Sequence, residues 1–285
     1  MKLGGLAQGG HAPVGTFLLA GIAILVGGIY LDSLYGLMPL AGVLCLMISA
    51  FFANFWRDPD RPIPQEEGVL VSPADGHVMF ARRERATGRR PSNEERETSS
   101  IETDVHTGDW FPQACENPLD FTTEQRFEPA DTPGPDDVWR VAIFMSPLDV
   151  HVNRVPFDST IVAMEHRTGK GRRRGPFAPA FRKESEYNER VRTVLEGEDG
   201  GRIEVMQISG ALARTIVPWT GVGDTLRRGE RYGMIRLGSR VDVRVPASLY
   251  APNVISAEDE DPAYPKGQFI KAGLDIIFKP IPDEE

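Results

Sequence analysis

A chain of 285 residues, 41% of them hydrophobic, can bury a sizeable core and still spare an apolar segment for a membrane, which excludes a chain disordered throughout. A formal charge of -9, from 41 acidic against 32 basic residues, argues against nucleic acid as the main partner, because phosphate-backbone binding draws its affinity from clustered Lys and Arg. The 2 cysteines, Cys45 in an apolar run and Cys115 in a polar stretch, give no basis for a structural disulfide or a Cys-ligated metal, and they suit a reducing compartment.

The N-terminal part reads as a membrane hairpin over residues 1–60. No charged residue occurs from Gly4 to Leu31, and Val14 to Tyr30 (VGTFLLAGIAILVGGIY) approaches the ~17 to 25 apolar residues a spanning helix needs. A second uncharged run extends from Ser33 to Trp56, with only Asp32 between the two. Lys2 precedes the first run and Arg57 and Arg61 follow the second, so the positive-inside rule puts both ends, and the rest of the chain, in the cytoplasm, at the inner membrane of the cell. A cleaved signal peptide is the competing reading, although the first run lacks a clear small-x-small cleavage site. The other is a helical pair buried in a soluble core, for which such long, Gly-rich, uncharged runs are unusual.

Beyond the exit DPDRPIPQ, short β-prone runs recur between Gly, Pro and Asp: GVLVSPADGHVMF, WRVAIFMSP, HVNRVPFDSTIVAMEH, RTVLEG, RIEVMQIS, RTIVPWT, YGMIRLG, RVDVRVP and LDIIFKP. Their length and spacing predict a mainly β domain over residues 61–285, not alternating βαβ units. A helical turn or two is expected around Phe181 to Arg190, and the polar, weakly patterned stretch from about Arg82 to Asp137 reads as an insertion. From Val222, the sequence VGDTLRRGERYGMIRLGSRVDVRVP places turns at Gly223-Asp224 and Arg228-Gly229 and strands at Tyr232 to Leu237 and Arg240 to Val245. A strand-to-strand corner is expected at Gly238-Ser239. The Gly-Asp turn and G-x-R-x-G pattern also resemble a lipoyl-like or barrel-sandwich element.

Four motifs then carry a specific resemblance: FWRDPDRP from Phe55, VSPADGHV from Val71, FMSPLDVHVNRVP from Phe144 and MIRLGSRVDVRVP from Met234. Together with GPFAPAFRKESEYNER from Gly175, and in this order and rough spacing, the chain resembles the phosphatidylserine decarboxylases, in particular their short bacterial and archaeal type. The resemblance implies a proenzyme that cleaves itself between Gly238 and Ser239, leaving a pyruvoyl group at position 239 and requiring no external cofactor and no metal. The residue types suit that chemistry. Ser239 Oγ must reach the carbonyl carbon before it, and a residue without Cβ at 238 tolerates the backbone such an attack needs. The resulting ketone would condense with the substrate amine to a Schiff base and take up the electron pair left by departing carbon dioxide, converting phosphatidylserine to phosphatidylethanolamine. Maturation would give two chains, 1–238 and 239–285.

His151 is the acid/base candidate, since an imidazole titrates near pH 6.5. Asp75 matches the aspartate that longer relatives use in a self-cleavage triad with a histidine and the serine. The triad does not carry over whole: three residues after His151, where those relatives have a second histidine, this chain has Arg154. Either His151 serves both steps or another group activates Ser239, and Arg154 is then a candidate to bind a phosphate or carboxylate. In the cluster KGRRRG, Lys170 and Arg172 are candidates for anionic lipid head groups near the leaflet. His77 is expected to stand behind the site at most, and His106 and His166 to be surface residues. Two rivals stay open. One is a membrane-tethered adaptor with a lipoyl-like β domain and no enzymatic activity; the other is a lipid serine hydrolase, for which no G-x-S-x-G elbow is present. The sequence leaves open whether two copies associate as a homodimer.

Overall fold

The computed structural model describes residues 5–31, 36–85, 137–167, 188–210, 215–236, 238–259, 261, 263 and 266–282. The chain divides into two compact units. One comprises Met1–Asp60 and Pro147–Val152, the other Arg61–Ser146 and Asn153–Glu285.

In the first unit the two apolar runs are helices, α1 (His11–Leu31) and α2 (Leu37–Phe55), each long and apolar enough to cross a membrane. Their outer faces are apolar too: Leu19 is 70% exposed and Leu40 65% exposed, an arrangement water penalises and lipid does not. The contact between the helices is lined by small residues. Gly21, Gly28, Gly42 and Ser49 are buried there, and the Ser49 hydroxyl donates to the Val14 carbonyl at 2.9 Å. Small side chains let two backbones approach closely, which is how helices associate where no hydrophobic effect separates them from solvent. At the base, the amide of Ala7 donates to the Trp56 carbonyl at 2.7 Å and that of Asp58 to the Gly5 carbonyl at 2.9 Å, tying the N-terminal segment to the chain leaving α2.

The second unit is mainly β. In chain order its strands are β1 (Leu70–Val71), β2 (Gly76–Arg85), β3 (Asp137–Met145), β4 (Val152–Arg154, from Asn153 onward in this unit), β5 (Ser159–Arg167), β6 (Arg190–Glu196) and β7 (Arg202–Ile208). There follow β8 (Ile216–Pro218), β9 (Thr225–Leu226), β10 (Arg231–Ile235), β11 (Ser239–Pro246), β12 (Tyr250–Pro252), β13 (Phe269–Ile270) and β14 (Ile276–Pro280). Eight of them form an antiparallel sheet in the order β13-β2-β3-β11-β7-β6-β5-β9, and two three-stranded sheets, β1-β14-β12 and β4-β10-β8, complete the described part. β2 runs through Arg85, past the expected start of the polar insertion, because Arg82 and Arg83 pair in register with Arg140 and Trp139. Of the helical turn expected at Phe181 to Arg190, Phe181 to Tyr187 lie outside the described residues, and Arg190 instead opens β6, where it pairs with Arg167.

The strand β11 shows how alternation builds the sheet. Val241, Val243 and Val245 point to one face, into a core with Val141, Ile143, Val205 and Phe278. Arg240, Asp242 and Arg244 take the other face, yet they too are buried. They are tolerated because they pair. Arg240 donates to both Asp242 oxygens at 2.6 and 2.8 Å, Arg140 Nε donates at 2.8 Å, and the Phe80 ring lies 5.0 Å from the Arg240 guanidinium and 5.5 Å from that of Arg140. Burial alone would push the Asp242 carboxyl up, but the Arg140 and Arg240 charges, with Arg244 beyond, outweigh it and hold the pKa down at about 2. Glu204 repeats the pattern between Arg192 and Arg244: burial opposes its charge, and the two guanidinium groups bring the pKa below the usual carboxylate value.

Candidate active site

The Gly-Ser corner lies where expected, after β10 and at the first residue of β11. Gly238 has φ 66, in the left-handed region that costs a residue with Cβ about 1–2 kcal/mol, and a Cβ built there meets nothing within 4 Å. The corner therefore demands glycine for its backbone and not for lack of room. Ser239 is fully buried and sits on the core face of β11, opposite Met145 of β3. Its hydroxyl points at the Met145 sulfur, 3.4 Å away.

Two polar residues share that face. Asn153 Nδ2 donates to the Pro73 carbonyl at 3.3 Å and lies 3.9 Å from the Met145 sulfur, and Gln207 Nε2 donates to Asn153 Oδ1 at 2.8 Å. Asn153 and Gln207 are both fully buried. Ser239, Met145, Asn153 and Gln207 thus form a continuous buried group at the start of β11. Sequence reasoning passed over Met145, Asn153 and Gln207. The signal for Gln207 was its place in RIEVMQIS, an inward slot two residues after Val205 that holds an amide where alternation calls for an apolar side chain.

The PADG motif lies in the same unit. Gly76 opens β2 against β3 so closely that a Cβ would come within 2.1 Å of the Phe144 carbonyl oxygen, which explains the glycine. Asp75 before it is 4% exposed and held on both oxygens: Arg61 Nη1 donates to Oδ1 at 2.5 Å and Nη2 to Oδ2 at 2.7 Å, while the Ala272 amide donates to Oδ1 at 2.8 Å. A guanidinium and a backbone amide thus hold its carboxylate. Arg61, a flanking charge and part of FWRDPDRP in the sequence, donates a further bond to the Ala272 carbonyl at 2.7 Å. Arg154 is 5% exposed and donates through Nη1 to the Gly229 carbonyl at 2.9 Å.

His151 falls in the first unit. It is fully buried, its ring centroid 4.3 Å from that of Phe55, and its Nδ1 lies 2.9 Å from the Asp149 carbonyl oxygen. A carbonyl only accepts, so in this arrangement Nδ1 carries the proton and Nε2 is the nitrogen that gains or loses one. His77 Nδ1 lies 3.1 Å from the Gly267 carbonyl oxygen, with its ring against Phe269. His166, expected at the surface, is instead 8% exposed, because Glu189 takes its Nε2 at 3.0 Å beside the β5–β6 pairing. His106, Lys170 and Arg172 lie outside the described residues.

Among the described residues no group of three or more His, Cys, Asp or Glu side chains is placed to hold a metal ion. A cleft of ≈ 330 Å³ is lined by Phe157, Asp158, Arg228, Pro246 and Tyr250. It lies at the far end of β11, roughly 23 Å along the strand from Ser239 at the usual rise per residue, and takes up none of the candidate residues.

Residues 48–277 match the protein-family profile described as "Phosphatidylserine decarboxylase". Among curated proteins, the phosphatidylserine decarboxylase proenzyme of Zymomonas mobilis is 35% identical over 231 residues, covering 80% of this chain and 74% of that protein. That of Solidesulfovibrio magneticus is 31% identical over 277 residues, 96% of each chain. That of Streptomyces avermitilis is 46% identical over 214 residues, 75% of this chain and 72% of its own. No solved structure matches the chain.

Proposed function

The chain belongs to the phosphatidylserine decarboxylase family, and from that premise we propose that it is a self-processing proenzyme which decarboxylates phosphatidylserine to phosphatidylethanolamine by means of a pyruvoyl group made from Ser239. The observation that carries the reading is the pairing of a left-handed Gly238 with a fully buried Ser239 at the first residue of a central strand. In processing, Ser239 Oγ attacks the Gly238 carbonyl carbon, and the peptide C–N bond breaks as the ester C–O bond forms, leaving the amine on residue 239. Elimination across Cα–Cβ of residue 239 then releases the Gly238 carboxylate and leaves dehydroalanine, whose hydrolysis yields ammonia and the ketone. The new end stays in place because β11 pairs with β3 from Ser239 to Pro246 and with β7 from Arg240 to Arg244.

The residues around position 239 fit such a group: Met145 and the core wall exclude water, and Asn153 and Gln207 present amide groups on the same face. Once formed, the group supplies a carbonyl electron sink for the pair released as carbon dioxide leaves the substrate. His151 serves as acid and base through Nε2, with Nδ1 held on Asp149. Asp75 contributes to self-cleavage from a position fixed by Arg61 and Ala272. Arg154, Lys170 and Arg172 bind the phosphate and the anionic surface.

In this reading residues 1–60 anchor residues 61–285 to the cytoplasmic face of the inner membrane, an orientation supported by Lys2, Arg57 and Arg61 beside the apolar runs. The anchor suits the substrate, since exposing a diacyl lipid to water costs about 0.8 kcal/mol per CH₂. The small sheet β4-β10-β8, with turns at Gly223 and Gly229, supports the barrel-sandwich-like comparison. The test is turnover on phosphatidylserine vesicles. Wild-type protein should form phosphatidylethanolamine and Ser239→Ala none; equal turnover by both would end the proposal.

A further inference from the structure

We propose that the last turn of α2 is a positioning element for His151, so that the hairpin takes part in the chemistry and does not only tether the enzyme. The inference rests on the reading of His151 as the acid/base group. The segment Pro147–Val152 packs in the same compact unit as the hairpin. It is not held by burial of its own tip, since Leu148 is 65% exposed. The end of α2 and Arg57 just beyond it hold the tip. Arg57 Nη2 donates to the Leu148 carbonyl at 2.7 Å, and Asn54 Nδ2 lies 3.5 Å from the same oxygen.

The other guanidinium nitrogen of Arg57 closes the helix end, donating to the Asn54 carbonyl at 2.9 Å and to Asn54 Oδ1 at 2.6 Å. One side chain therefore bridges the C-terminus of α2 and the tip of the loop. Three residues beyond that tip, the His151 ring packs on Phe55, the last residue of α2, and both are buried. The loop tip is thus fixed by a two-pronged cation and the imidazole plane by an aromatic face. Two of the sequence motifs, FWRDPDRP and FMSPLDVHVNRVP, meet here, which gives a physical reason for the first that lipid anchoring alone does not supply.

Arg57→Lys is the discriminating change. It keeps the positive charge that flanks the membrane segment but loses the fork that spans two carbonyls. The assay uses the full-length, processed protein and monomeric dihexanoyl phosphatidylserine, a soluble substrate that needs no anchor. A second readout is the rate at which diethyl pyrocarbonate modifies His151, measured by peptide mass spectrometry. Arg57→Lys should lower kcat about tenfold with KM nearly unchanged, in the range expected when a reacting group is misplaced by a fraction of an ångström. It should also speed His151 modification several-fold, while binding to phosphatidylserine vesicles stays at the wild-type level. Asn54→Ala, a milder change, should move both readouts the same way, and Leu19→Ala on the outward face of α1 should move neither.

If Arg57→Lys does not mature, Asn54→Ala decides the question. Wild-type kcat and modification rates in Asn54→Ala and in any matured Arg57→Lys would overturn the inference. A separate arm tests the reading beneath it: full turnover by His151→Ala would remove the catalytic role of His151, while the modification rates would still report whether α2 positions the ring.

Discussion

Replacing Gly238 by alanine separates backbone demand from crowding at the cleavage bond. The φ of 66 places residue 238 in the left-handed region, and open space surrounds the point where a Cβ would stand. The penalty for alanine is then the backbone term alone, about 1–2 kcal/mol. If the left-handed conformer presents the carbonyl to Ser239, its population falls by that amount, a factor of roughly 5 to 30 in cleavage rate. The assay is a pulse-chase of newly made precursor, with uncut and cut chains resolved by denaturing electrophoresis over time. Gly238→Ala should still mature, slowly, and Gly238→Asn should mature faster than Gly238→Ala because asparagine tolerates this region better. Cleavage of Gly238→Ala at the wild-type rate would show that the left-handed turn is not required. Complete blockage would show an obstruction where the structure has space.

Asp242→Asn leaves Arg140 and Arg240 buried beside a neutral partner and should lower unfolding stability by about 3–5 kcal/mol in urea titrations. In the wild type, the Asp242 pKa is depressed from an ordinary 3.8 to about 2, so its ionised form stabilises the fold fully above pH 3.8, and this contribution is lost as pH falls to about 2. That difference is worth about 2 kcal/mol, and a urea midpoint followed from pH 5 down to pH 2 should fall accordingly in the wild type. Gln207→Ala leaves the buried Asn153 oxygen without its donor and should cost about 1–3 kcal/mol while slowing maturation; wild-type maturation would detach this pair from the site. Arg61→Ala strips Asp75 of its bidentate partner and should slow cleavage more than Arg61→Lys does, read on the same gels.

The two N-terminal helices were legible because a helix long and apolar enough to cross a membrane is written in consecutive apolar residues, and the strands because β11 and β7 alternate with period two. The corner at Gly238 was marked by glycine between two strand patterns. Other features were hidden for physical reasons. That Arg240, Asp242 and Arg244 are buried has no local mark in the alternating strand, since pairing with Arg140 and Glu204 on neighbouring strands is a long-range fact. His166 was misjudged for the same reason, its partner Glu189 being 23 positions away. The bond from Arg57 to Leu148 spans 91 positions, and no local pattern announces it.

The most direct test is the intact mass of the purified protein beside Ser239→Ala. Wild-type material should resolve into two polypeptides, one ending at Gly238 and the other beginning with a ketone that reacts with hydroxylamine, and the variant should give one uncut chain. A wild-type protein that turns over phosphatidylserine while its mass corresponds to a single unbroken chain with serine at position 239 would contradict the account.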